Sequence, residues 1–200
     1  MLETFGMANS NSPFGFRQTG RLPGADPSFE LVWRKLAASY ATTIGRGDVI
    51  EELVTGYVGK MTGAAGTVYG IADGFQYYSS AVGRRIWSPT YPASGSASEI
   101  DIAVIVDPYA IFEVQAGATG IAFSDIGGNV IWTDGTVNTI TGQSGSYLDD
   151  SSVATTDTLG FRILGLAPAA DSMSPSTGAY NIANVTFNNQ AFKNRTGKDT

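Results

Sequence analysis

An all-β body, either a sandwich or a barrel, is what this sequence predicts. Apolar residues recur at every second position in several short runs. Glycine-rich and Ser/Thr-rich stretches separate those runs, and almost nothing carries a helical period. The chain has 200 residues, 42% of them hydrophobic and 25 of them glycine. That is enough for one domain with a core that needs no disulfide.

Residues 1–28 are rich in Asn, Ser, Gly and Pro and show no period, yet they include Phe5, Phe14 and Phe16. Disordered tails are poor in aromatics. We therefore read 1–28 as an extended N-terminal arm that lies on another surface or folds back on its own domain, with Phe14, Phe16 and Arg17 as candidate partner contacts. The body then spans 29–190. Phe29, Leu31 and Trp33 alternate with Glu30, Val32 and Arg34, which predicts a strand. Gly45 and Gly47 punctuate a turn into a strand at Val49–Leu53. Val68, Gly70 and Ala72 alternate with Tyr69, Ile71 and Asp73, and Ile86–Trp87 forms another short apolar piece.

Ser88–Glu99 reads as a long loop, because Pro89 and Pro92 donate nothing to a ladder and a Gly/Ser run follows. The clearest strand comes next: Ile100, Ile102, Val104 and Val106 on one face, Asp101, Ala103, Ile105 and Asp107 on the other. Pro108 ends it. Phe112, Val114 and Ala116 then oppose Ile111, Glu113 and Gln115, which puts Glu113 on the more polar side of a half-buried strand. Asp134-Gly135 between β-branched runs predicts a two-residue hairpin turn. Leu159, Phe161 and Ile163 share a face until Gly165, where the phase slips as at a bulge. Val185 and Phe187 mark the last strand, and residues 191–200 read as a flexible tail carrying Lys193, Arg195 and Lys198. Only Leu36–Ile44 and Ser124–Asn129 have room for a helical turn or two.

Composition removes several chemistries. The chain has no cysteine and no histidine. Disulfides, thiolate or imidazole zinc sites, and Cys-His or Ser-His-Asp machinery are excluded. The net charge of −6 argues against a nucleic-acid footprint. No run of about 18 apolar residues suggests a membrane span, and the first residues lack the basic and apolar regions of a secretory leader. Charged residues make up only 15% of the chain. That depletion is typical of surfaces that meet partner subunits, and equally of a Gly/Thr-rich β protein.

The remaining motifs are weak. Gly59-Lys60 is followed by Met61, so the phosphate-loop spacing is not met. Glu99 and Asp101 share a strand face with Cβ atoms roughly 7 Å apart, from about 3.3 Å rise per residue. Such a pair is the raw material of a carboxylate-dependent hydrolase. Glu99, Asp101 and Asp107, with Asp125, Asp149 and Asp150, offer oxygen ligands for a structural cation, without the spacing of a calcium loop. None of these defines a catalytic, cofactor or metal site, so none is assigned.

ANSNSPFGFR near the start, IGRGDVIEEL, VDPYAIFEVQA, SDIGGN, and TGQSG…LDD…TTDTLGFRILGLA leading into NVTFNN occur in an order and spacing that span most of the chain. In these pieces the chain resembles the head decoration, or cement, proteins of tailed bacteriophages. The resemblance implies a β-barrel or β-tulip-like body, with an extended N-terminal arm, on the outer surface of a virion shell. It implies synthesis in the host cytoplasm, the major capsid protein and further copies of the chain (a homodimer or homotrimer) as partners, and no catalytic residues. No cofactor is expected. An alternative from the residues themselves is a carbohydrate- or host-surface-binding module of a fibre or spike, for which Tyr77, Tyr78, Trp87 and Tyr91 form the best local cluster.

Overall fold

The computed structural model describes residues 9–24, 26–27, 30–62, 66–93, 97–168 and 178–193. Within them the chain forms fifteen strands: β1 (Arg17–Arg21), β2 (Leu31–Lys35), β3 (Ile44–Gly45), β4 (Val49–Glu52), β5 (Val58–Lys60), β6 (Gly70–Ser79), β7 (Arg84–Ser88), β8 (Thr90–Tyr91), β9 (Ala97–Ile105), β10 (Ala110–Gln115), β11 (Asn129–Val130), β12 (Trp132–Thr133), β13 (Tyr147–Leu148), β14 (Phe161–Leu166) and β15 (Ile182–Phe187). Helical structure among them is two single 3₁₀ turns, at Phe123–Asp125 and Asp150–Ser152. The Leu36–Ile44 stretch is not helical. Leu36 instead makes a parallel bridge to Val58 and is buried in the core.

Two antiparallel sheets make the body. One has the order β1-β10-β15-β14-β11; the other runs β2-β9-β6-β4-β5, with β7 also paired to β6. Pairs β3-β8 and β12-β13 are separate two-stranded ladders. The sheets pack as layers in a sandwich-like arrangement, and no sheet closes into a barrel among the described residues.

Strict alternation explains the core. From the first sheet, Phe112, Val114, Phe161, Ile163, Ala183, Val185 and Phe187 point inward against Val49, Ile71 and Ile105 of the second. The second sheet also buries side chains on its other face. Ile50, Ala72, Phe75, Ile100, Ile102 and Val104 face away from the first sheet, and Ile44, Tyr91 and Tyr40 cover them. The Ile100/Ile102/Val104 face read from the sequence is this second core. A register irregularity between Ala72 and Gly74 explains how Ala72 and Phe75 reach the same cluster. The phase slip read at Gly165 is likewise present, as a shift between Ile163 and Gly165.

Some expectations need correction. Of the two readings of 1–28, its described part takes the second and folds back on its own domain. Arg17–Arg21 is an edge strand of the first sheet, paired with β10. Ahead of it, Ser12 N–H donates to Gln115 Oε1 (3.0 Å) and Gly15 N–H to the Ser146 carbonyl (3.2 Å). A strand edge offers unpaired backbone groups, and this segment satisfies them. Residues 1–8 lie outside the described residues. The loop at 88–99 is interrupted by β8 and ends where β9 begins at Ala97, with Tyr91 fully buried; residues 94–96 lie outside the described set. In the tail, Ala191 N–H donates to the Val68 carbonyl (2.9 Å), so its first residues belong to the body; residues 194–200 lie outside.

Asp134-Gly135 is not a hairpin turn either. The strands it follows and precedes, β12 and β13, are joined by the long connection 134–146. Gly135 is required there for a different reason. A Cβ on it would lie 1.9 Å from the Gly145 carbonyl oxygen, so two backbones pass in contact.

Candidate functional site

The sequence's candidate contacts fare differently from one another. Phe16 is 3% exposed, stacked on Phe161 at 4.3 Å between ring centroids and edge-on to Phe112 at 6.1 Å. It is a core residue and cannot reach a partner, because the chain entering β1 turns its side chain between the sheets. Arg17 stands on the opposite face of the strand, exposed, with its guanidinium 2.5 Å from Glu113 and 5.0 Å from the centroid of Phe14. Glu113 therefore pairs across the ladder with the residue directly opposite it. Phe14 and Arg17 border a shallow cavity of about 150 Å³ with Gln18, Arg46, Asp73 and Gln143. Both arginines on its rim are already neutralised, Arg17 by Glu113 and Arg46 by Asp73 at 2.7 Å.

A broader exposed feature lies on the second sheet, where β2, β9, β6 and β7 extend side by side. Directly opposed residues of antiparallel strands share a face. Trp33 opposes Ala103, which opposes Gly74. In the next row Lys35 opposes Asp101, which opposes Gln76, which opposes Trp87. Tyr78 and Arg85 make a third row. Trp33 is 47% exposed and Trp87 58%. The Trp87 indole leans over Gly74, with ring atoms 3.0–3.1 Å from where a Cβ would stand. Any side chain at Gly74 would lift the ring off the sheet. Two strand spacings, about 10 Å, separate the backbone of Trp33 from that of Gly74. The result is a face on which two exposed indoles stand over a row whose Ala103 and Gly74 are buried.

Charges rim this face, and they are paired. Asp101 receives Lys35 at 2.6 Å and Arg85 at 2.5 Å, while Arg85 also reaches Glu99 at 3.5 Å. Partial burial alone would raise the Asp101 carboxyl. The hydrogen bonds from Lys35 and Arg85 outweigh it and hold the group below its ordinary value. Such a carboxylate stays ionised and is poorly suited to act as a general acid. Glu99 has φ +50° within β9, beside the register irregularity between Gln76 and Tyr78, and shares Arg85 with Asp101, so the two acids read from the sequence are bridged by a cation.

Of the aromatic cluster read from the sequence, Tyr78 and Trp87 are exposed. Tyr77 and Tyr91 are core, with the Tyr91 hydroxyl donating to the Tyr40 carbonyl (2.8 Å). Alternation along β6 separates Tyr77 from Tyr78, a signal present in the sequence. Trp33 was missed because β2 and β7 are distant in the chain and only the register brings them onto one face.

The other acidic candidates have structural work. Asp150 Oδ2 accepts from Thr119 N–H (2.8 Å) and Gly120 N–H (2.6 Å), Asp149 accepts from Ser151 N–H (3.1 Å), and Asp125 accepts from Ala122 N–H (2.8 Å). No group of three or more metal-ligating side chains occurs among the described residues. Among them, no helix is long and apolar enough to cross a membrane. Lys60, from the imperfect phosphate-loop motif, is turned inward onto Asp48 and Asp134.

No family model, no curated protein and no solved structure matches this chain.

Proposed function

We propose that this chain is a non-enzymatic structural subunit of a tailed-bacteriophage head, binding the outer surface of the major capsid shell and stabilising it. The observation that carries this reading is the exposed Trp33/Trp87 face. It is built on four paired strands and rimmed by charges that already have partners, so docking strands none of them. Large aromatics on a rigid base are the usual anchors of protein interfaces. A shell repeats the same site many times. A modest contact made by each subunit of an oligomer becomes a firm one through effective concentration. Three of the segments that resemble the decoration proteins also lie together: the VDPYAIFEVQA, LGFRILGLA and NVTFNN pieces contribute to β10, β14 and β15, neighbours in one sheet.

The test is cosedimentation of the purified chain with capsid shells that lack it, with copy number by quantitative mass measurement. Saturable binding at hundreds of copies, lost on replacing Trp33 and Trp87 by Ala, is the expected result. A folded chain that never sediments with shells overturns the reading.

A second reading has its own support. The two exposed indoles, with the exposed Gln76 beside Trp87, offer faces on which sugar rings stack. A saccharide that saturably quenches Trp fluorescence, with no shell binding, favours this module over the cement.

A further inference from the structure

Lys60, Asp48 and Asp134 meet inside the protein. Lys60 Nζ is 2.7 Å from Asp134 Oδ1 and 3.1 Å from Asp48 Oδ2. The Lys60 and Asp48 side chains are 5% and 0% exposed, while Asp134 keeps about a third of its surface, at 30%. One cation between two carboxylates leaves a net negative charge in a place where ions are costly. The three residues come from different parts of the chain: Lys60 from β5, Asp48 from the turn into β4, and Asp134 from the 134–146 connection. The two acids are held differently. Asp48 is clamped by Gly45 N–H at 2.8 Å and by the hydroxyls of Ser144 and Ser146. Asp134 touches Lys60 and, at 3.4 Å, the Ser146 hydroxyl, and has an open side.

We propose that Lys60 and Asp134 condense into an intramolecular isopeptide bond, with Asp48 as the proton carrier. The Lys60 ammonium passes one proton to Asp134 Oδ1 across the 2.7 Å contact, giving a neutral amine and a neutral carboxylic acid. The amine's lone pair attacks Cγ of Asp134, and the N–C bond forms. Asp48 accepts the second nitrogen proton and delivers it to the departing hydroxyl. The C–O bond breaks and one water leaves on the open side of Asp134. An ammonium and a carboxylate become an amide and water, no electrons are exchanged, and Asp48 is regenerated.

Three physical arguments support the step. The reacting groups are held in contact, which removes the entropic cost of bringing them together. A buried amide costs less than a buried ion pair. Burial also raises the Asp48 carboxyl, with Lys60 and the donors from Gly45 and Ser144 working against that rise, and a raised carboxyl suits a group that must take up and release a proton. Lys60 itself is lowered by desolvation but raised more by its two carboxylates. The amine is therefore freed by transfer within the pair and not by loss of a proton to solvent. The bond would tie the 134–146 connection to β5 covalently, as suits a protein that bears load.

The experiment is peptide mapping of the complete chain as expressed, with its intact mass. The expected result is a chain lighter by one water, about 18 Da, no tryptic cut after Lys60, and a branched peptide joining the Lys60 and Asp134 segments. A full mass with cleavage after Lys60 overturns the proposal. So does a succinimide at Asp134-Gly135, which also loses one water but leaves two linear peptides. Asp48→Asn, checked for folding by circular dichroism, should remain at the unreacted mass; a branched peptide in that variant refutes Asp48 as the proton carrier. If the variant does not fold, the map of the unaltered chain still decides the bond.

Discussion

Phe16 is the residue on which the sequence and the structure disagree most sharply, and replacing it by Ala separates the two views. As an arm anchor it would contribute nothing to folding. In the structure its ring is 3% exposed and lies against Phe161 and Phe112. Deleting a buried Phe side chain costs about 3–5 kcal/mol through lost transfer energy and the cavity left behind. The two ring contacts contribute within that figure, at about 0.5–1.5 kcal/mol each. Phe16 sits at the entry to an edge strand, where the chain has some freedom to collapse, so we expect the lower part of that range, about 3–4 kcal/mol. For a domain of this size each kcal/mol shifts Tm by about 2–4 °C, giving a fall of roughly 6–16 °C. Urea unfolding followed by tryptophan fluorescence should show a lower midpoint with an unchanged m-value. Phe14→Ala, at a half-exposed position, should cost less than about 1 kcal/mol. A Phe16→Ala variant within about 0.5 kcal/mol of the parent, with shell binding lost, would refute the core assignment. It follows that deleting residues 1–20 removes core and edge strand together and tests folding more than docking.

Other predictions follow from the same geometry. Replacing both Trp33 and Trp87 by Ala should leave the circular dichroism unchanged and move stability by no more than about 1 kcal/mol, while abolishing cosedimentation with shells; retained binding excludes this face. Gly70→Ala would place a Cβ 2.3 Å from the Ile105 carbonyl oxygen, a backbone atom that cannot swing aside. We expect destabilisation at the upper end of about 1–3 kcal/mol in a urea titration. Asp101 has a folded-state pKa below its unfolded value of about 3.8. Its contribution is therefore present above pH 3.8 and is lost as pH falls through the lower folded value. The stability gap between the parent and Asp101→Asn, at most about 1 kcal/mol for so exposed a cluster, should close on acidification below that pH. A gap that widens would show the sign to be wrong.

The alternation of apolar residues determined a great deal without any coordinates. Ile100, Ile102 and Val104, then Phe112 and Val114, and finally Val185 and Phe187 each announce a strand with one buried face, because side-chain direction along a strand is a purely local property. The bulge at Gly165 was legible for the same reason. The Asp134-Gly135 turn was misread because Asp134 is claimed by Lys60 and Gly135 by the passing Gly145 backbone, two long-range demands that no local turn preference encodes. The short strands β3, β8, β11, β12 and β13 have too few residues for a period to show. Tertiary structure alone decided which strands became neighbours. That choice of register put Trp33 and Trp87 on one exposed face, drew Phe16 into the core, and closed two carboxylates around Lys60. Pairing across a sheet is set by the packing energy of the whole core, which is summed over residues far apart in the chain.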